Sequence, residues 1–81
     1  MDSGSISVFP NPANDYINIH IKNRKGILKI INEMGQIISV PLASKGNEMI
    51  RINTEKWSKG VYFLIVQGYD GVLSETKFII N

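Results

Sequence analysis

Gly60-Val61-Tyr62-Phe63-Leu64-Ile65-Val66 contains the longest unbroken apolar run of the chain, and most of its residues are β-branched or aromatic. Its length, its residue types and its flanking glycines favour a strand over a helix. Side chains alternate along a strand, so Val61, Phe63 and Ile65 take one face and Tyr62, Leu64 and Val66 the other. A strand apolar on both faces is expected in the middle of a sheet, covered on both sides. Gly60 and Gly68 bound it, and either can supply the positive φ of a tight turn.

The remaining segments predict the same class of structure. Ile6-Ser7-Val8-Phe9 is a short β-prone run stopped by Pro10-Asn11-Pro12. These prolines have no amide hydrogen to give a ladder, and the loop runs on to Asp15, with Asn14 or Asp15 expected to bond its own backbone. Tyr16 to Lys22 alternates, with Ile17, Ile19 and Ile21 inward and Asn18, His20 and Lys22 in water. Asn23-Arg24-Lys25-Gly26 reads as a turn, Ile27 to Asn32 as the next strand, and Glu33-Met34-Gly35 as a hairpin connection to Gln36–Val40. Pro41 suits a sheet edge. Ala43 to Asn47 reads as a loop, Glu48 to Asn53 as a strand, and Thr54 to Lys59 as a connection carrying Trp57. Tyr69-Asp70-Gly71 is a turn before a last strand, Val72 to Ile80. About seven short strands with Gly- or Pro-marked turns predict a small antiparallel β-sandwich, immunoglobulin-like in build.

With 81 residues and no cysteine, the chain makes one domain that has no disulfide to supplement its core. Residues 6–81 are the expected domain, and residues 1–5 a starting methionine and short polar linker without the features of a signal peptide. Nine basic residues against seven acidic are scattered, which argues against nucleic-acid binding. No apolar run reaches the roughly 20 residues that span a bilayer.

Catalytic chemistry finds no foothold. His20, the only histidine, lies on a wet strand face without carboxylate or cysteine partners. Serines lack a nucleophile elbow, and glycines form neither a dinucleotide fingerprint nor a P-loop. Asn11, Asn14 and Asp15 are a poor set for calcium, which wants about six to eight oxygens. No enzyme activity, metal or cofactor is expected. Tyr16, Trp57 and Tyr69 are candidate stacking platforms for a sugar, although Trp57 also reads as a plug at one end of the core. The residues alone lead to a non-catalytic β-sandwich module, adhesive or carbohydrate-binding among the possibilities.

Three segments together are more specific. Ser7-Val8-Phe9-Pro10-Asn11-Pro12-Ala13-Asn14-Asp15, then Leu28 through Gln36, then Ile52 through Val66 with Lys77-Phe78-Ile79-Ile80 resemble the type A C-terminal sorting domain of the type IX secretion system of Bacteroidota. The likeness runs from Ile6 to Asn81. Its motif turns fall on Pro10, Asn11, Pro12, Asp15 and Gly35. The family's middle motif usually reads I-Y-D-x-x-G-R, where this chain has Ile31 for the tyrosine, Asn32 for the aspartate and Gln36 for the arginine. Asn53 and Trp57 stand where the family often has aspartate and leucine; an asparagine can still close a side-chain turn.

The resemblance implies a signal domain on a larger exported precursor. Such a domain passes the periplasm, is read by an outer-membrane translocon, and is removed by a sortase-like protease that cuts ahead of the fold. The cargo ends at the cell surface or outside the cell. Carried over residue by residue, recognition falls on Gly60, Tyr62, Lys77, Phe78 and Ile79. Gly60 also reads as a turn residue, Tyr62 and Phe78 as core, and Lys77 as a charge guarding an edge strand against aggregation.

Overall fold

The computed structural model describes residues 4–39 and 41–81. Its strands are β1 (Ser5–Phe9), β2 (Tyr16–Asn32), β3 (Leu42–Asn53), β4 (Gly60–Gly68) and β5 (Leu73–Ile80). All named pairs are antiparallel: β1 with β2, β2 with β3, β2 with β4, and β4 with β5. The expected all-β, sandwich-like architecture is present, built from five strands where the sequence divides into about seven.

Two differences account for the count. Asn23 to Gly26 is no turn but the middle of the 17-residue β2, where the register against β3 shifts between Ile21 and Arg24 and Asn23 takes φ 55°. This is a β-bulge, which bends a strand without ending it. The segment after Gly35 is the second difference. Ile37 bridges Ile31, and the Ile38 amide donates to the Ile30 carbonyl at 2.8 Å, but no strand forms there; Val40 lies outside the described residues. Ala43 to Asn47, expected as a loop, belongs to β3, because β2 continues past its bulge and supplies it with partners from Arg24 to Leu28. Of the expected linker, Met1–Ser3 lie outside the described residues and Ser5 already opens β1.

The bend in β2 makes two layers from one sheet. Its first half pairs with β1 and β3, and its second half with β4 and the start of β3. Inward residues of both halves meet in a single core: Val8, Ile17, Ile19 and Ile21 from the first layer, and Leu28, Ile30, Tyr62, Leu64, Val66, Phe78 and Ile80 from the second. Full burial of each such aliphatic side chain contributes about 1.5–3 kcal/mol. The strand β4 is central, paired with β2 on one side and β5 on the other. Its two faces are not equally covered, however. Tyr62, Leu64 and Val66 are buried, whereas Val61, Phe63 and Ile65 are half-buried and lie outside the core. The expectation of cover on both faces is met on one.

Candidate functional site: the closing strand and its clamp

Ile79 gives the polarity of β5. Its carbonyl accepts from the Ala13 amide at 2.8 Å and its amide donates to the Asn11 side-chain oxygen at 3.0 Å. Both groups therefore point away from β4. Backbone groups alternate along an antiparallel ladder, so those of Leu73, Glu75 and Lys77 point the same way. No described strand pairs with that edge. Beyond Lys77 the edge closes, since the Asn81 amide also donates to the Ala13 carbonyl at 2.8 Å. The last strand is thus open from Leu73 to Lys77 and sealed over Ile79 to Asn81, a shorter free edge than the sequence suggests.

The seal is the Pro10–Asp15 loop, in which both X–Pro bonds are cis. Ala13 is completely buried and bridges Ile80. Thr54, also buried, holds the loop from below: its amide donates to the Asp15 carbonyl at 2.8 Å and its hydroxyl to the Asn14 carbonyl at 3.0 Å. The side-chain bond expected of Asn14 or Asp15 is made by Asn11 instead, to the far end of the chain. Nothing local in the sequence signals that contact.

Three of the five carried-over recognition residues, Gly60, Tyr62 and Phe78, are built into the framework of the fold. Tyr62 and Phe78 are opposite one another in the ladder, 4% and 0% exposed, with ring centroids 5.7 Å apart. Trp57 packs on Tyr62 at 5.4 Å and plugs that end of the core. The Tyr62 hydroxyl donates to the Ser58 carbonyl, and burial, reinforced by the Glu33 carboxylate, pushes its phenol above the ordinary pKa. Gly60 opens β4 at φ 149°, against the Glu33 side chain, where an L-residue would be strained. Lys77 is exposed and Ile79 half-buried; their side chains share the outer face of β5 with Glu75.

The turn motifs keep their geometry with amides in place of charges. Asn32 accepts from the Met34 and Gln36 amides at 3.0 Å each, its own side-chain amide donates to the Gln36 side chain at 2.8 Å, and Gly35 takes φ 83°. Asn53 accepts from the Glu55 amide at 2.9 Å. Both asparagines thus close the side-chain turns expected of them.

Arg24 was not singled out by its sequence context. Its side chain, 10% exposed, donates to Ser74 Oγ at 2.6 Å and to the Val72 carbonyl at 3.3 Å, and lies 3.8 Å from Asp70. It ties the β2 bulge to the β4–β5 turn, on the wall of an open cleft of about 770 Å³ that also meets the start of β1. Tyr69 is exposed beside that cleft, and Tyr16 lies under the Arg51 guanidinium at 3.9 Å. Among the described residues no three His, Cys, Asp or Glu side chains gather as metal ligands, and no helix is long and apolar enough to cross a membrane.

No curated protein matches the chain. A family model, described as the secretion system C-terminal sorting domain, matches residues 7–81 and so takes in the loop, its clamp on β5 and both turn motifs. The chain belongs to the family of type IX secretion C-terminal sorting domains.

Proposed function

We propose that this domain is a non-catalytic address, read at its open β5 edge by the outer-membrane translocon and then cut from its cargo by a sortase-like protease. Membership of the sorting-domain family supports export to the cell surface or beyond as part of a larger precursor, and contact with the type IX machinery. The observation that carries the finer reading is the free edge from Leu73 to Lys77, which offers unpaired backbone groups for strand addition. Lys77 and Ile79 present side chains beside it. Gly60, Tyr62 and Phe78 serve the signal by holding the strand in place. The protease cuts ahead of β1, and the domain contributes no catalytic group.

Glu75→Pro tests this reading. The amide of Glu75 faces outward, so proline there removes an edge donor without breaking the β4–β5 ladder. A reporter fused upstream and given an export signal should accumulate in the periplasm of a type IX-competent cell, while the purified variant melts close to wild type. Lys77→Glu, which leaves the backbone edge intact, should reduce secretion less. Surface delivery at the wild-type level by Glu75→Pro would remove the edge from the mechanism.

A further inference from the structure

The half-buried face of β4 belongs to a larger apolar surface. Register places Phe63 beside Ile31 on β2 and Lys77 on β5, and Ile31 in turn beside Ile37. The row on one side is Ile79 with Val61; on the other, Ile65 stands between Glu75 and Lys29. Paired residues share a face, so Ile31, Ile37, Val61, Phe63, Ile65 and Ile79 form one band on the side away from the core. Ile37 is 58% exposed and the other five are half-buried. The outward face of the other layer is mixed, with Phe9, Tyr16 and Met49 exposed among Ser7, Asn18, His20, Arg51 and Asn53 along its rows. A contiguous apolar band of this sort marks a contact.

We infer that this band is a self-association surface, covered by the same face of a second copy of the chain. The charges in the Ile65 row select that occupant. Glu75 lies one strand to one side of Ile65 and Lys29 one strand to the other. A two-fold axis running along β4 between two stacked sheets sets β5 of each copy over β2 of its mate, in the same row. Glu75 then meets Lys29 of the second copy twice, Ile65 meets Ile65, and Phe63 meets Phe63 at the centre. Such isologous contacts need a self-complementary patch, and this row is one. Sheets stacked about 10 Å apart accommodate it, with the usual offset of about 30° between strand directions. Lys77 falls over Ile31, its methylene stem on the apolar band and its ammonium at the rim.

This inference does not depend on the sorting role. It concerns the face of β5, whereas strand addition uses its edge. Sedimentation equilibrium of the chain over micromolar to millimolar concentration is the test, with a monomer–dimer equilibrium expected. Phe63→Lys buries two charges at the centre and should leave a monomer throughout. Glu75→Lys sets lysine against Lys29 in both symmetric pairs and should raise the dimer Kd by about tenfold or more, since each rim pair is worth up to about 1 kcal/mol. Lys29→Glu combined with Glu75→Lys should recover the wild-type constant. The two rim positions carry the result if Phe63→Lys fails to fold, which near-ultraviolet dichroism reports. A wild-type monomer at millimolar concentration overturns the inference, as does a dimer indifferent to the charge reversal or not rescued by the double swap.

Discussion

Tyr62 couples the core to the connection before β4. Its ring packs on Trp57 and Phe78, and its hydroxyl reaches the Ser58 carbonyl. Tyr62→Phe keeps the packing and loses the bond, for an expected cost of about 1 kcal/mol by urea unfolding at neutral pH. The same pair of proteins isolates a pH effect. The native phenol titrates above its ordinary value, so below about pH 10 both native and unfolded tyrosine hold their proton and contribute no slope. As pH rises further the unfolded chain loses that proton first and binds fewer protons than the native one. Stability then falls through the native pKa. Wild type should therefore lose stability above pH 10 more steeply than Tyr62→Phe, and equal slopes would remove the shift.

The element that most decides the architecture is β2, and the element that most decides the site is the loop gripping β5. Asn11→Ala removes the acceptor for the Ile79 amide. That amide should exchange with deuterium markedly faster, while amides on the β4 side of β5 keep their protection; the global cost is about 1 kcal/mol. Much of the element level was legible. The period-two pattern of Ile17, Ile19 and Ile21, the break at Pro10-Asn11-Pro12 and the Asp70-Gly71 turn all follow from local chemistry. Asn23 to Gly26 misled because residues that tolerate positive φ serve a bulge as readily as a turn. Ala43 to Asn47 carries no β pattern and is a strand only because β2 is long enough to pair with it. The grip of Asn11 on Ile79 spans 68 positions and leaves no periodic trace. For β4, residue types told that both faces are apolar, but not that the described residues cover only one.

At the scale of the whole molecule the margin is thin. A domain of this length buries a modest share of its surface, and native domains hold only about 5–15 kcal/mol in total. Ending the chain after Lys77 removes Phe78 and Ile80, both buried. Losing a core phenylalanine costs about 3–5 kcal/mol and an isoleucine about 2–5 kcal/mol. The truncated chain should therefore show no cooperative melt by circular dichroism. Secretion lost on such a truncation reports an unfolded domain, whereas Glu75→Pro addresses the contact itself.

Ala13 must wait for Ile79 and Asn81, which follow it only after the rest of the domain has been made. Until they arrive, the proline loop has nothing to grip and the hydrophobic interior lacks its final wall. Ripening of the fold therefore waits on the whole span from Ala13 to Asn81, and a product that stops short of it carries no finished tag. An export gate that accepts only the folded tag would in this way turn back any cargo whose tag stops short of that grip.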